Sequence, residues 1–253
     1  MSIAIVVGAA SGIGWASARA LAADGYRVVV ADRNLDGAQA RAAELGAPHT
    51  ASFVDVSDEA SVATLFEHTG PVDAVVSCAG FSNVGLIVDM PVDDFRSVID
   101  VCLTGAFIVA KYAGRHLTDG GSLVSISSLN GRQPAAGMSA YCSAKAGLSM
   151  LTQVAALELA GRGIRVNAVA PGFVEVDSPV NPVTDEYAAA VSVNPTGRPG
   201  RPDEIAAAVV WLAGAEAGFV TGAVLRVDGG ASAGTSALPV HFPSSTALQR
   251  AEA

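Results

Sequence analysis

Ile3-Ala4-Ile5-Val6-Val7-Gly8-Ala9-Ala10-Ser11-Gly12-Ile13-Gly14 is the stretch whose reading decides the fold. Its first five residues are uniformly apolar, with no polar alternation. That pattern fits a strand covered on both faces, as in a parallel sheet. The glycines then let the backbone turn tightly, and a helix-like stretch follows over 13–23. A helix that starts at such a turn presents free N–H groups and the positive end of its dipole, which together suit a pyrophosphate. Glycines also serve tight packing, so the turn gains weight from its place at the first strand-to-helix junction.

Working outward, the same alternation continues along the chain. Short apolar runs rich in β-branched residues occur at Arg27–Ala31, Ser52–Val54, Ala74–Ser77, Ser122–Ser125, Arg165–Ala168 and Val224–Val227. Helix-like segments fall near 35–45, 58–68, 91–116, 140–160 and 203–213. This order predicts βαβ units, an α/β fold and a doubly wound parallel sheet. Periodicity supports the helices: Ile205, Val209 and Leu212 share one face, with Pro202 at the first helical position. Leu148, Leu151, Ala155 and Leu159 form a stripe that Gly161 and Gly163 should end. Residues 177–201 break the rhythm with Pro179, Pro182, Pro195 and Pro199. Near the carboxyl edge of such a sheet, this insertion is expected to be a substrate lid. Residues 231–253 read as a tail, with Leu238–Val240 and Phe242 as its apolar part.

Composition narrows the function classes. Apolar residues make up 51% of the 253 residues and charged residues 15%, which favours a buried core over disorder. The net charge of -9, with no Lys/Arg run, argues against nucleic acid and anionic membranes. Cys78, Cys102 and Cys142 are odd in number and lack a CxxC pair, so thiols in a cytoplasmic protein are expected rather than disulfides or zinc. His49, His68, His116 and His241 lack metal-ligand spacing. The N-terminus has no basic region of a signal peptide, and no uncharged apolar run reaches bilayer length.

Chemistry-bearing residues cluster at strand ends. The second strand should end at Asp32, 18 residues beyond Gly14. A carboxylate there can accept hydrogen bonds from the adenosine ribose hydroxyls of NAD and repel the extra phosphate of NADP. Arg33 is the neighbouring cation that could act the other way. Asp55 and Val56 should close the third strand. Asp55 either helps start a helix near Ser57, a possible N-cap, or lies beside an adenine ring.

Tyr141-Cys142-Ser143-Ala144-Lys145 opens a helix and puts a phenol and an ammonium on one face. A nearby cation stabilises phenolate, so Tyr141 can exchange a proton with an alcohol or a forming alkoxide. Ser128, just past a strand end, can hydrogen-bond a carbonyl oxygen as charge builds on it. There is no G-x-S-x-G and no histidine placed to make a nucleophilic serine.

Taken in order, Gly8-x-x-x-Gly12-x-Gly14, Asp55-Val56, Cys78-Ala79-Gly80, Ser128, Tyr141-x-x-x-Lys145, Pro171-Gly172 and Val227-Asp228-Gly229-Gly230 resemble the short-chain dehydrogenase/reductase family. Ser128 precedes Tyr141 by 13 residues, as is usual there. The resemblance spans 1–230 and implies a single Rossmann domain with seven parallel strands. It implies an oxidoreductase acting on CH–OH groups with NAD. Ser128 would orient the substrate oxygen, Tyr141 would be the acid/base, and Lys145 would hold the nicotinamide ribose. Gly8, Ser11, Gly12, Ile13, Gly14, Asp32, Asp55, Val56, Cys78, Ala79, Gly80, Val101, Pro171, Gly172 and Val174 would contact the cofactor. No metal is implied. A homotetramer is implied, with the 91–116 and 140–160 helices and the last strand at interfaces.

Three positions depart from the family pattern. Ser77-Cys78 replaces a pair of asparagines before Ala79-Gly80. Cys102 falls where the family places an asparagine that helps hold a relay water near the lysine. Val176 falls where a threonine would bind the nicotinamide carboxamide. They motivate a second reading, a dinucleotide-binding protein that has lost activity; a third is an NADP-dependent ketoacyl reductase. Phe81, Ser82, Leu129, Asn130, Met138 and Val174 are the expected substrate walls. They suit an uncharged or mildly polar alcohol or ketone, with Arg132 the nearest anchor for an anion.

Overall fold

A computed structural model describes residues 1–176 and 194–234. Its strands are β1 (Ile3–Val7), β2 (Arg27–Asp32), β3 (Thr50–Phe53), β4 (Val72–Ser77), β5 (Leu117–Ile126), β6 (Arg165–Pro171) and β7 (Val224–Val227). Among the described residues the helices are α1 (Gly12–Ala23), α2 (Leu35–Leu45), α3 (Glu59–Thr69), α4 (Val92–Ile99), α5 (Gly105–His116), α6 (Ser139–Leu159) and α7 (Pro202–Ala213). The strands form one seven-stranded sheet in the order β3-β2-β1-β4-β5-β6-β7, and every pairing is parallel. This is the doubly wound fold expected from the alternation, with the strand order reversing between β1 and β4.

The unbroken apolar strands are explained by cover on both faces. Ala4 and Val6 of β1 point with Val28, Val30, Ala74 and Val76 toward Leu21 of α1, Ala38 of α2 and Ile205, Val209 and Leu212 of α7. Ile5 and Val7, one pleat away, point with Val29 and Val75 toward Leu65 and Phe66 of α3, Val109 of α5 and Ala155 of α6. A smaller cluster of Val98, Cys102, Ala140 and Ala144 packs Phe81, Met90 and Tyr141.

Several boundaries differ from the sequence reading. β5 begins at Leu117 rather than Ser122, because Leu117 pairs with Val72 across an irregularity in the ladder. β3 stops at Phe53, so Asp55 and Val56 lie in the turn beyond it. The N-cap of α3 is Asp58, not Ser57. The Asp58 side chain accepts from Ala60 N at 3.0 Å, whereas the Ser57 hydroxyl is spent on Asp55 at 2.6 Å. The long helix expected over 91–116 is interrupted by a π-helical turn, Asp100–Thr104. The helical run Val92–His116 has the length and mean hydropathy to cross a bilayer, but it is not an uncharged run, since Asp93, Asp94, Arg96, Asp100, Lys111 and Arg115 lie within it. Here Val98, Cys102, Ile108, Val109 and Ala113 are buried in the packed layers instead. Most of the expected lid (177–193) and of the tail (235–253) lies outside the described residues.

One buried charge was missed in the sequence. Arg165 of β6, 8% exposed, donates to the carbonyls of Leu212 (2.6 Å) and Ala213 (2.9 Å), and to Gly214 (2.9 Å) and Ala217 (3.2 Å) just beyond α7. A helix end leaves such carbonyls without partners, and a cation there also complements the dipole. Arg165→Met should therefore destabilise the protein by about 3 kcal/mol, read as a lower urea midpoint with an unchanged slope.

Candidate active site

The glycine-rich turn is built by close approach. Gly8 has φ +79°, and a Cβ there would sit 2.8 Å from Ala79 N. A Cβ on Gly14 would lie 1.9 Å from the Gly8 carbonyl oxygen, so α1 starts hard against the turn. Gly12 has φ +56°, and among the described residues a Cβ there would meet only the Val176 side chain, at 3.5 Å. The backbone at Gly12 thus borders open space at the N-terminus of α1, where its unpaired N–H groups favour an anion.

That space is a cleft of about 280 Å³ at the carboxyl ends of β1 and β4. It collects most of the positions singled out in the sequence: Gly8, Ser11, Gly12, Ile13 and Gly14 from the turn, Asp32, then Asp55 and Val56, then Cys78, Ala79 and Gly80, and Val101. Val7, Arg33, Val54, Phe81, Ile126 and Val176 complete the wall. Among these, Val7, Val54 and Ile126 carried no signal beyond being strand-end hydrophobics. Ser128, Tyr141, Lys145, Pro171, Gly172 and Val174 do not line the cleft itself.

Asp32 ends β2 with its carboxylate held by two backbone donors, Ala10 N at 2.9 Å and Asn34 N at 2.8 Å. The first bond ties it to the glycine-rich turn. Asp55 accepts from Ser57 N (2.9 Å) as well as from the Ser57 hydroxyl. That hydroxyl bond, with lesser help from the Arg33 charge, holds its carboxyl below the usual range. Asp55 thus organises the turn before α3, and it lines the cleft. Cys78 is a protonated thiol at neutral pH, since burial pushes it up to about 12.

The phenol and ammonium come together next to the cleft. Lys145, 3% exposed, donates from Nζ to the Ile126 carbonyl at 2.7 Å. The same Nζ lies 5.5 Å from the centre of the Tyr141 ring, and an ideal Cβ on Gly80 would be 3.4 Å from it. The end of β5 is clamped to α6 in two further ways. Ser127 Oγ donates to the Lys145 carbonyl at 3.2 Å. Gly131 packs so closely that a Cβ would meet that carbonyl oxygen at 2.8 Å. Ser128 sits between these clamps, its Oγ accepting from Asn130 N at 3.1 Å. After β6, Gly172 presses on Asp228, and Phe173–Glu175 pairs with Gly200, which places Val176 over Gly12. The described residues hold no group of three or more His, Cys, Asp or Glu placed to bind a metal.

A family model described as enoyl-(acyl carrier protein) reductase matches residues 8–232. The chain is 41% identical over 240 residues to a cis-4-hydroxycyclohexanecarboxylate dehydrogenase of Sinomonas cyclohexanicum, covering 91% of this chain and 96% of that one. This chain is a short-chain dehydrogenase/reductase. It is also 39% identical to a human 3-oxoacyl-[acyl-carrier-protein] reductase, over 90% of this chain and 97% of the relative. The solved structure of BdcA in complex with NADPH superposes with a TM-score of 0.84 at 33% identity, covering 91% of this chain and 95% of that one.

In this short-chain dehydrogenase/reductase the cleft fits a nicotinamide dinucleotide. The turn leaves room for a pyrophosphate at a helix N-terminus, a carboxylate stands at the end of β2, and Val56, Ala79 and Val101 offer apolar wall. Cys102 lies within the π-helical turn, 1% exposed, and donates its thiol to the Phe81 carbonyl at 3.3 Å. It fills the place beside Gly80 and Lys145 with a side chain already committed to Phe81. Two polar side chains flanking the start of α6 turn toward thioethers: Asn130 Nδ2 donates to Met138 Sδ at 3.3 Å and Ser139 Oγ to Met90 Sδ at 3.5 Å. Arg132 is exposed.

Proposed function

We propose that this oxidoreductase interconverts a secondary alcohol and its ketone with NAD(H), with Ser128, Tyr141 and Lys145 as its catalytic set. The observation that carries the reading is the buried Lys145 ammonium against the Tyr141 ring, beside the cleft that fits a dinucleotide. Bound there, the nicotinamide supplies hydride chemistry. The chain's own residues do the rest. Tyr141 takes the alcohol proton or returns one to the ketone oxygen. Lys145 stabilises negative charge developing on the phenol oxygen, and Ser128 holds the substrate oxygen in line. Gly8, Ser11, Gly12, Ile13 and Gly14 hold the pyrophosphate, Asp32 holds the adenosine ribose, and Asp55 and Val56 flank adenine. Cys78, Ala79, Gly80, Val101, Pro171, Gly172 and Val174 frame the rest of the site.

Asp32 supports NAD over NADP, because an added phosphate would face its carboxylate. NADH should bind at least about tenfold more tightly than NADPH, measured by titration calorimetry. Equal or reversed affinities would favour the second reading, an NADP-dependent ketoacyl reductase; the human relative's name suggests the 3-oxoacyl reductase part of it.

For the substrate, Phe81, Met90 and Met138 favour an apolar, uncharged or mildly polar alcohol or ketone. The name of the Sinomonas relative describes a hydroxycyclohexane that carries a carboxylate, so a hydroxylated six-membered ring is the first class to try, with and without that carboxylate. A strict need for the carboxylate would contradict the uncharged reading and point to Arg132 as its anchor. We also place the protein in the cytoplasm as a homotetramer. Phe107 (52% exposed) and Leu157 (82%), with Met150 and Val154, give α5 and α6 an apolar outer face that suits further copies. Sedimentation at a monomer mass would contradict that assembly.

A further inference from the structure

Ala10, in the glycine-rich turn, is gripped from three sides. Its N–H donates to Asp32 Oδ2 at 2.9 Å. Its carbonyl accepts from Arg41 Nε of α2 at 3.3 Å. Its methyl abuts the first turn of α2, where a Cβ on Gly37 would be 3.1 Å away. Arg41 is held in turn by two other groups. Its guanidinium carbon lies 4.9 Å from the centre of the Trp15 ring of α1, and Nη1 pairs with Glu44 at 2.9 Å. One planar cation therefore bridges α1, the turn and α2, immediately behind the carboxylate at the ribose end of the cleft.

Two consequences follow from elementary electrostatics and geometry. Drawing on the Ala10 carbonyl fixes the peptide orientation of a residue whose own N–H aims Asp32. Stacking on Trp15 and pairing with Glu44 also occupy the cation, so that it does not turn toward a phosphate in the cleft. We propose that Arg41 is a positioning residue for cofactor choice: its grip on Ala10 aims Asp32 at a ribose diol, and its restraint by Trp15 and Glu44 keeps it from serving a 2′-phosphate. The proposal rests on the reading that the cleft takes NAD.

The test compares dissociation constants of NADH, NADPH, ADP and 2′,5′-ADP by titration calorimetry, together with melting temperatures. Arg41→Met keeps the stem over Trp15 and removes the fork. It should weaken NADH and ADP binding about fivefold while leaving NADPH and 2′,5′-ADP within about twofold, so the preference for the unphosphorylated ribose narrows. Arg41→Lys keeps the charge without the planar fork and should narrow the preference likewise. Glu44→Gln leaves the Ala10 and Trp15 contacts and loosens only one of the two restraints, so its preference should narrow by well under half as much as that of Arg41→Met. Equal loss for all four ligands in Arg41→Met would reduce Arg41 to a structural part and overturn the proposal. A Glu44→Gln ratio moved as far as that of Arg41→Met would also overturn it, since ion pairing rather than the grip on Ala10 would then set the choice. The wild-type NADH and NADPH affinities test the NAD reading separately: wild type can prefer NADH while the variants show no change in ratio, and only the role of Arg41 then fails.

Discussion

Tyr141→Phe should lower kcat by about a thousandfold, within the range of general acid–base contributions, while NADH affinity and melting temperature stay near wild type. The phenol ring packs against the buried cluster of Val98, Cys102, Ala140 and Ala144, and phenylalanine keeps that packing. What disappears is the oxygen proposed to exchange a proton with the substrate. The Lys145 ammonium cannot take over that role from its place, because it donates to the Ile126 carbonyl at 2.7 Å and is buried behind the ring. The Cys78 thiol, raised to about 12, is no substitute base at neutral pH. Single-turnover kinetics with bound NADH separates this loss from one in product release. Undiminished turnover would remove Tyr141 from the mechanism.

Gly14→Ala should have the largest structural effect in the cofactor half. The added Cβ would lie 1.9 Å from the Gly8 carbonyl oxygen and 2.8 Å from its carbonyl carbon. Neither atom is the end of a flexible side chain, so the backbone of the turn or the start of α1 must move. The same atoms form the wall that would receive the pyrophosphate. The strain, at the upper end of overpacking costs of about 3 kcal/mol, falls on the binding site as well as on the fold. NADH affinity should drop by about a hundredfold or more, with a lower melting temperature. Unchanged NADH binding would mean that α1 can slide without disturbing the turn.

These expectations show which levels of the molecule are legible in its sequence. The sheet is, because each strand is apolar on both faces: Ala4 and Val6 serve one side, Ile5 and Val7 the other. The cleft is legible to a large degree too, since Gly8, Gly12, Asp32, Asp55 and Ala79 occupy strand ends that a parallel sheet brings to one edge. Side-chain commitments are not. Spacing could place Tyr141 and Lys145 on one helix face but not show that Lys145 is buried on the Ile126 carbonyl. That bond depends on the end of β5 being clamped by Ser127 and Gly131. Ser57 reads as the cap of α3, but Asp55 takes its hydroxyl, which leaves the cap to Asp58. Arg165 reads as the polar start of a strand until β6 and the end of α7 are brought together. Arg41 reads as one more helix-surface charge until Trp15, one helix earlier, and Ala10, in the turn, converge on it.

On the proposed function, the departures at Cys102 and Val176 would bear on rate rather than on the nature of the site. Cys102 donates to Phe81 and Val176 closes over Gly12, so neither position offers the polar group the family pattern would place there. The account still assigns proton exchange to Tyr141 and charge stabilisation to Lys145, with slower turnover as the cost of a less polar surround.

The most direct test of this account is NADH formation from NAD by the wild-type protein over a panel of secondary alcohols that includes hydroxylated cyclohexanes, repeated with Tyr141→Phe. The account predicts turnover by wild type on at least one member and a loss of about a thousandfold in the variant. Tight NADH binding with no turnover on any alcohol or matching ketone, or equal rates for both proteins, would contradict it.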